Sequence, residues 1–529
     1  MQLSRRWWII AAAVVIVLPA LITLLVTHHS TTHKIPIAIP PSVDRTSTKI
    51  PVQDGTLAAE VFSLHHHEAN APLVVMPTPW GSDVSTYDGI ASKLAAKGYD
   101  VVSYTQRGFE TSSGLIDFAG TRTQADAHTV ITWALDRTRA NPQRIGMFGV
   151  SYGAGISLIT AAHDPRIKAV VALSTWADMA SSFEPNGTPS TLAVGALVTN
   201  GRGRFDSSVE PFVKSVGSPS DFTTQLKSIS PARSPETYTA QLNKNAPAVF
   251  LANGFEDSIF PPQQLIGFFD KLTTPKRLQL AEGDHGGPEL NALQGKPDAT
   301  VTSAIQWLDH YLRGVDNGAN TQAPIQLRDV ITHAVHGYST WPATTSADVE
   351  PLGTPSSTDA IGSSGAWSTT ISSGTSPGSG FNATLNIQYG HAYVLPLMDT
   401  HSITPHSAAV FTGPTLAANS LVSGTPAVHL DVTSSGTSAT VYAYLYDVDG
   451  HTAGLMSMEP YTVQTTPNTA TTVSFSMQPI SWTVRKGHHL MLLLDTANLR
   501  YQSPTPAGTK ITFSSTASDQ ATVTIPTQN

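Results

Sequence analysis

A serine between two glycines, in residues 149–153 (GVSYG), is the part of the sequence with the clearest chemical meaning. Residues 144–150 predict a short buried strand, and residues 152–163 predict a helix directly after it. Glycines on both sides let backbone segments pass close to a serine in a strained turn, so that its hydroxyl projects from the edge of the sheet. This arrangement predicts that Ser151 is a nucleophile for acyl transfer.

A second match to the pattern, residues 374–378 (GTSPG), has a different context. It lies in a tract rich in Ser, Gly and Thr, without a predicted strand before it or a predicted helix after it. Pro377 has no N–H, so the residue after Ser376 could not donate a hydrogen bond to an oxyanion. We therefore predict that Ser376 is a linker residue.

A serine nucleophile needs a base to accept its proton and an acid to orient that base. Two glycine-bearing turns, residues 253–258 (NGFEDS) and 282–287 (EGDHGG), each directly follow a predicted strand. Their order along the chain, serine then acid then histidine, is the order of the triad in α/β-hydrolases. The predicted triad is Ser151, Asp257 and His285.

Other side chains compete for the acid and base roles. Glu256, next to Asp257, is an alternative acid, and Asp178 is a second alternative if the acid has shifted to another strand. Asp284 is expected to point away from the site, because neighbours on a turn seldom converge. Three further histidines are interpreted as structural, because each falls on a predicted helix: His128, His163 and His310.

An oxyanion hole requires two donors aimed at the position where negative charge develops. Tyr152 N–H is one donor by its place after the nucleophile. The second is expected from residues 78–81 (TPWG), which follow a predicted strand. Trp80 could supply its backbone N–H or its indole N–H, and the alternative is that Trp80 is only a hydrophobic wall.

Strand and helix signals alternate in the first part of the chain and predict an α/β fold with a parallel sheet. Residues 178–245 interrupt this alternation and predict a cap above the carboxyl ends of the strands. Later segments alternate apolar and polar residues, as in an all-β sandwich or jelly roll. The predicted division is an N-terminal anchor (1–34), a catalytic domain with its cap (35–322) and a β domain (323–529).

The N-terminal anchor is predicted from residues 7–26, an apolar run interrupted only by Pro19 and Thr23 and preceded by Arg5 and Arg6. As a helix, this run would span about 30 Å, the thickness of the hydrocarbon core of a membrane. A cleaved signal peptide is the alternative, although its apolar region is usually about 7–15 residues long. The positions of the arginines predict a transmembrane helix with the rest of the chain extracytoplasmic.

Composition excludes several other classes of protein. The 529 residues carry a net charge of −8 without an extended basic run, which argues against a nucleic-acid partner. The absence of cysteine excludes disulfides and thiolate catalysis. No metal or organic cofactor is expected, and residues 65–67 (HHH) are not interpreted as a metal site, because consecutive side chains diverge on an extended chain.

The order of five short motifs resembles the Xaa-Pro dipeptidyl-peptidase and cocaine esterase family, which includes α-amino-acid ester hydrolases. The motifs are PTPWG, YTQRG, GVSYG, GFED and GDHGG. This resemblance implies an α/β-hydrolase fold with a helical cap insertion, followed by a C-terminal jelly roll. It assigns the nucleophile to Ser151, the acid to Asp257 and the base to His285.

Two residues depart from the family pattern. The family usually has Asp before its Arg-Gly pair, where Gln106 stands here, so an ion pair of Arg107 is expected to be missing. The family often places a tyrosine hydroxyl in the oxyanion hole, and Trp80 stands at that place. The resemblance therefore implies acyl transfer with an altered oxyanion donor.

The residues and the resemblance together predict a serine hydrolase that cleaves an ester or amide bond of a small ester or short peptide. The alternative from another class is an extracytoplasmic binding or adhesion protein on an inert scaffold. Within the enzyme class, an Xaa-Pro peptidase must bind a free α-amine, and Glu184 and Glu210 are candidates for that contact.

Overall fold

A ten-stranded sheet runs through the first part of the chain. The computed structural model describes residues 37–66, 69–342, 348–374, 395–404 and 406–528. In chain order, the strands of this sheet are β1 (Val43–Val52), β2 (Gly55–Leu64), β3 (Leu73–Pro77), β4 (Asp100–Tyr104), β5 (Ile145–Val150), β6 (Ile167–Leu173), β7 (Ala248–Gly254), β8 (Lys276–Ala281), β9 (Ile325–Arg328) and β10 (Val335–Tyr338).

The spatial order of these strands is β1-β2-β4-β3-β5-β6-β7-β8-β9-β10. Neighbours from β4 across to β9 are parallel, and the pairs at both outer edges are antiparallel. Strands β3, β4, β5 and β7 are buried along their whole length, which is typical of parallel strands covered on both faces. Their carboxyl ends therefore form one edge at which loops can converge.

Helices cover both faces of this sheet. Apolar residues of α2 (Thr121–Thr138), α3 (Tyr152–His163) and α9 (Gln263–Lys271) pack on one face. Residues of α1 (Asp88–Ala96) and α11 (Ala299–Arg313) pack on the other face. A short helix, α10 (Leu290–Leu293), precedes α11. The predicted α/β-hydrolase-like architecture is confirmed by this layering.

The segment between β6 and β7 is helical. Its helices are α4 (Met179–Phe183), α5 (Thr191–Asn200), α6 (Glu210–Ser215), α7 (Pro219–Ile229) and α8 (Thr239–Asn245). In α7, Phe222, Leu226 and Ile229 are buried on one face, the i, i+4, i+7 spacing of an amphipathic helix. This segment, called the cap below, follows β6 and lies near the predicted nucleophile.

The C-terminal part of the chain is built from antiparallel strands. They are β11 (Val349–Pro351), β12 (Trp367–Ser372), β13 (Leu397–Asp399), β14 (Ala409–Thr412), β15 (Ser420–Gly424), β16 (Ala427–Ser434), β17 (Ser438–Asp449), β18 (Thr452–Gln464), β19 (Ala470–Ser476), β20 (Ile480–Val484), β21 (His489–Asp495), β22 (Lys510–Ser515), β23 (Thr522–Thr524) and β24 (Thr527–Gln528).

These strands form sheets of six, five and three strands, which confirms a C-terminal β-rich domain. The alternating burial of β16, in which every second residue faces the core, matches the periodicity of its sequence. The main sheet continues past the predicted boundary at residue 322, because β9 pairs with β8 and β10 pairs with β9. Residues 39–529 form one compact unit.

The predicted transmembrane helix over residues 7–26 lies outside the described residues. Within the part of the chain that the structure describes, no helix combines the length and the apolar character needed to cross a membrane.

Candidate active site

The turn between β5 and α3 holds Ser151 in a strained conformation, with φ 56° and ψ −121°. Its N–H donates to Leu173 O at the end of β6, at 2.8 Å. A Cβ on Gly149 would lie 2.3 Å from the Gly153 backbone, and one on Gly153 would lie 1.9 Å from Pro77 O. Both glycines are therefore required by close backbone approach.

The three predicted triad residues lie in hydrogen-bond contact. Ser151 Oγ is 2.8 Å from His285 Nε2, and His285 Nδ1 is 2.9 Å from Asp257 Oδ2. The His285 side chain is 15% exposed, whereas the Asp257 side chain is fully buried. The base can thus meet a substrate while the acid stays shielded behind it, which is the geometry of a serine nucleophile with an oriented base.

Backbone and amide donors hold Asp257 in place. Its Oδ1 accepts hydrogen bonds from Ile259 N at 3.0 Å and Phe260 N at 2.8 Å. Its Oδ2 accepts one from Asn253 Nδ2 at 3.1 Å. These donors fix the carboxylate so that it faces His285. Asn253 was not predicted from the sequence, although its place at the end of the strand before the acid turn is a usable signal.

The loop that carries His285 is tied to its neighbours on both sides. Asp284 Oδ1 accepts from the backbone N–H groups of His285, at 2.7 Å, and Ser258, at 2.9 Å. Gly286 N donates to Ser174 Oγ at 3.0 Å. Asp284 therefore joins the acid loop to the base loop and does not contact the nucleophile.

The alternative acids and bases have other roles in the structure. Glu256 Oε2 accepts from Gly283 N at 3.1 Å and so braces the histidine loop. Asp178 caps α4 by accepting from Ala180 N and Ser181 N. The three other histidines are bound elsewhere: His128 to Asp164, His163 to Ile159 O and His310 to Val315 O.

Burial and charge act in opposite directions on His285. Burial lowers the pKa of this imidazole, but the carboxylate of Asp257 raises it by its charge and its hydrogen bond, and Glu289 and Asp284 add to this effect. The net pKa of His285 lies above its ordinary value. Since only the neutral imidazole accepts the serine proton, activity is expected to fall at acidic pH.

The two predicted oxyanion donors have different outcomes. Tyr152 is the first residue of α3, where a backbone N–H has no partner within the helix. The indole N–H of Trp80, however, donates to Leu197 O of α5 at 3.1 Å, so the prediction that it could serve the oxyanion is wrong. Trp80 has one indole proton, and the cap carbonyl takes it.

The backbone N–H of Trp80 stays a candidate for the second oxyanion donor, because it meets no protein acceptor among the described residues. The Trp80 ring also stands edge-on to the Tyr152 ring, with 5.0 Å between centroids. Trp80 is thus a hydrophobic wall as well, which was the alternative to its role as a donor.

The expectation that Arg107 lacks an ion pair is wrong. Its guanidinium contacts Asp126 of α2 through Nε–Oδ2 at 2.7 Å and Nη2–Oδ1 at 3.0 Å. Both side chains are buried, so this bidentate pair is shielded from water. Helix α2 supplies the partner that the family pattern places at residue 106.

An apolar cluster covers the triad from the side of the cap. The Phe260 ring lies edge-on to the His285 ring at 5.3 Å, and Trp176 lies 5.0 Å from Phe260. The cap contributes further buried members: Phe183, Val194, Val209, Phe212, Phe222, Leu226 and Ile229. Further residues packed against this cluster, which is called the aromatic cluster below, are only partly buried: Trp80, Leu197, Val198, Phe205 and Ile259.

The cap also contacts the β domain. Asn186 Nδ2 donates to Glu459 Oε1 of β18 at 2.7 Å, and Gln478 Nε2 donates to Glu459 Oε2 at 2.6 Å. The hydroxyls of Thr188 and Thr462 are 2.8 Å apart. The cap is therefore held between the catalytic sheet and the C-terminal domain.

The two acids considered for an amine site are engaged elsewhere. The Glu184 carboxylate accepts a hydrogen bond from Thr223 in α7. Burial raises the pKa of Glu184, and the Thr223 hydrogen bond opposes this rise. Glu210 is exposed and pairs with Lys214 at 2.7 Å, one helical turn away. Neither acid has a contact with the triad among the described residues.

Comparison with known proteins agrees with this geometry. Residues 54–208 match the model of the X-Pro dipeptidyl-peptidase (S15 family), and residues 317–529 match the model of its C-terminal non-catalytic domain. A putative Xaa-Pro dipeptidyl-peptidase of Bacillus cereus is 20% identical over 457 residues, which is 79% of this chain and 74% of that protein.

Solved structures show the same fold over nearly the whole chain. An aminopeptidase from a marine sediment Thaumarchaeota archaeon has a TM-score of 0.70 and 16% identity, covering 94% of this chain and 99% of its own. A CocE/NonD family hydrolase from Staphylococcus aureus has a TM-score of 0.68 and 13% identity, with coverages of 94% and 99%. An α-amino acid ester hydrolase has a TM-score of 0.65 and 14% identity, with coverages of 92% and 97%.

The triad geometry and the two family matches lead to one conclusion. The chain carries the catalytic and C-terminal domains of the X-Pro dipeptidyl-peptidase (S15) family and is a serine hydrolase.

Proposed function

We propose that this protein hydrolyses carboxylic esters with an apolar acyl group, through an acyl-enzyme on Ser151. The observation that carries the proposal is the contact of Ser151 Oγ with His285 Nε2 at 2.8 Å, beneath the aromatic cluster. Aromatic side chains such as Phe260 offer apolar contact area to a substrate group of the same character. No cofactor is needed for this chemistry.

The reaction follows from the positions of the side chains. Ser151 Oγ attacks the ester carbonyl carbon while its proton moves to His285 Nε2, and Asp257 stabilises the imidazolium. The backbone N–H groups of Tyr152 and Trp80 hold the developing oxyanion. His285 then gives the proton to the leaving alkoxide, and a water activated by the same imidazole releases the acid from Ser151.

The names of some relatives support a second candidate, cleavage after an Xaa-Pro unit. Such a substrate has a free α-ammonium group, which needs a carboxylate in the site. Glu184 is bound by Thr223, and Glu210 is bound by Lys214. Ile259 and Phe260, which follow Asp257 in the same loop, are apolar and offer no carboxylate. These contacts favour the ester over the peptide.

A substrate panel separates the two candidates. We expect p-nitrophenyl esters of apolar acids to be cleaved with a kcat/KM at least about 100-fold above that for Xaa-Pro-p-nitroanilides, since an unpaired ammonium in an apolar site costs several kcal/mol. The Ser151→Ala variant is the control for hydrolysis outside this site. If the wild type prefers the anilides and Ser151→Ala does not cleave them, the proposed substrate would change from an ester to an Xaa-Pro peptide.

We further propose that residues 7–26 hold the chain in a membrane with the catalytic part extracytoplasmic. The support is the length of the apolar run and the arginines before it. Expression of the full chain and of a variant without residues 1–34 tests this. The full chain should stay in the membrane fraction after alkaline carbonate washing while the variant is released; release of both would contradict the anchor.

A further inference from the structure

Glu289 is a buried carboxyl beside the triad to which the reaction as derived gives no role. It is 0% exposed and follows His285 by four residues. Two successive turns coil the intervening loop, with Gly287 N donating to Asp284 O at 2.8 Å and Leu290 N donating to Gly287 O at 3.3 Å. This coil keeps residue 289 close enough to His285 for the charges of the two side chains to interact.

The surroundings of Glu289 supply few partners for a carboxylate. Neither oxygen has a partner with full hydrogen-bond geometry among the described residues. The Ser174 hydroxyl is near enough to lower the pKa of Glu289. Since Ser174 Oγ already accepts from Gly286 N, its single proton is free to point toward Glu289. A chain of polar groups thus links Glu289 to the peptide next to His285.

Charges around Glu289 come from several elements. The pKa of Glu289 is raised to about 7, and burial is the largest cause. The charges of Asp257 and Asp298 also raise it, whereas the Ser174 hydroxyl and the charge of His285 lower it. In return, the charge of Glu289 raises the pKa of His285. Tyr87, a further titratable group near Glu289, is a buried phenol whose pKa lies far above neutrality, so it stays uncharged.

We propose that Glu289 is a positioning residue that stabilises the imidazolium form of His285 and, through the Ser174 hydroxyl, holds the loop that carries it. The inference rests on the proposed hydrolase function. When the Ser151 proton moves to Nε2, the positive charge on the imidazole interacts with two carboxylates, that of Asp257 at Nδ1 and that of Glu289. No bond to Glu289 forms or breaks, and its effect is electrostatic.

This arrangement predicts a distinctive pH profile. The charge of Glu289 raises the pKa of His285, and the charge of His285 lowers the pKa of Glu289. Activity requires a neutral His285, and the Glu289 carboxylate opposes loss of that proton. The acid limb of the wild-type profile should therefore lie above pH 6.5, the ordinary pKa of histidine. Without the Glu289 charge it should lie lower.

The test is Glu289→Gln, which keeps the shape of the side chain and removes the charge. We expect the midpoint of the acid limb of kcat/KM to move about one pH unit lower. The plateau kcat should fall several-fold, about 3- to 10-fold, with KM unchanged. The matched control is Glu282→Gln in the same loop, whose carboxyl contacts His333 at 3.3 Å, away from the triad. It should leave the profile in place.

An unmoved acid limb in Glu289→Gln, or an equal movement in Glu282→Gln, would overturn the proposal. If Glu289→Gln does not fold, Glu289→Asp keeps the charge and serves as the second variant. Its limb should stay within a few tenths of a pH unit of the wild type, and a limb about one unit lower would also overturn the proposal.

The pH dependence of fluorophosphonate labelling of Ser151 gives the same readout without any ester substrate. A failure of the ester proposal would therefore leave the inference about Glu289 testable on its own.

Discussion

The catalytic sheet and the C-terminal β domain both bury carboxyl groups, but they use them differently. Asp257 lies at the carboxyl end of a parallel strand, where the following turn aims two backbone N–H groups at Oδ1. Glu459 lies within antiparallel β18, and among the described residues its carboxyl oxygens accept from the side-chain amides of Asn186 and Gln478. Burial raises the pKa of Glu459 to about 8, although those amides lower it.

The difference follows from strand direction. Parallel strands end at a common edge, and their loops present free backbone donors there, so a carboxylate can be held and aimed. A residue in the middle of an antiparallel strand has its neighbouring backbone groups already paired in the sheet. The carboxyl of Glu459, with its raised pKa, is therefore neutral near pH 7 and joins the cap to the β domain.

Removal of the nucleophile should have the largest effect on the catalytic side of this comparison. Ser151→Ala should lower kcat by about 10⁵- to 10⁶-fold, because no other group can form the acyl-enzyme. The assay is hydrolysis of a p-nitrophenyl ester, with thermal melting to show that the variant is folded. Turnover within tenfold of the wild type would mean that another residue is the nucleophile.

The next effect separates the two neighbouring acids. Asp257→Asn should lower kcat by about 10⁴-fold, since the amide cannot orient and stabilise the imidazolium as the carboxylate does. Glu256→Gln should lower it by less than about 10-fold, because the Glu256 carboxylate accepts from Gly283 N while Asp257 binds His285 Nδ1. The opposite ranking in the same assay would assign the acid role to Glu256.

A smaller effect is expected for the wall of the oxyanion hole. Trp80→Phe removes the indole N–H, which binds Leu197 O rather than the substrate. We expect less than about 10-fold loss in kcat, whereas loss of an oxyanion donor costs about 10²- to 10³-fold. A loss in that larger range at constant KM would restore the indole to the oxyanion hole.

The smallest effect is on stability and concerns the β domain. Folding raises the pKa of Glu459 from 4.5 to about 8, so the folded chain binds more protons than the unfolded chain between these values. Stability contributed by this group is complete below pH 4.5 and is lost as the pH rises toward 8.

Glu459→Gln removes this titration. The Tm of Glu459→Gln minus that of the wild type should be more positive at pH 8 than at pH 5, by about 2–4 °C. Glu210→Gln, at an exposed i, i+4 pair, is the control and should show no such pH dependence. An equal Tm difference at both pH values for Glu459→Gln would show that Glu459 is ionised in the folded protein.

The sequence was sufficient for the triad, because each of its members follows a buried strand and stands in or beside a glycine-bearing turn. Those signals are local and can be read from the sequence alone. The family resemblance implied a helical cap, but the Gly, Pro and Ser content of residues 178–245 hid its helices from periodicity, although the spacing of Phe222, Leu226 and Ile229 in α7 was a readable signal.

Contacts between distant segments were not predictable from local pattern. Asp126 reaches Arg107 only because the fold brings α2 to the loop that follows β4, and the Trp80 indole reaches Leu197 only because the cap folds over it. Strands β9 and β10 were missed at the domain boundary because four residues carry too little periodicity.

The most direct test of the account is the site and rate of fluorophosphonate labelling. We predict a single adduct, on Ser151, identified by mass spectrometry, and slowing of the labelling by about 10³-fold or more in His285→Ala, because the serine then lacks its base. An adduct on another residue, or wild-type labelling of His285→Ala, would contradict the claim that His285 activates Ser151.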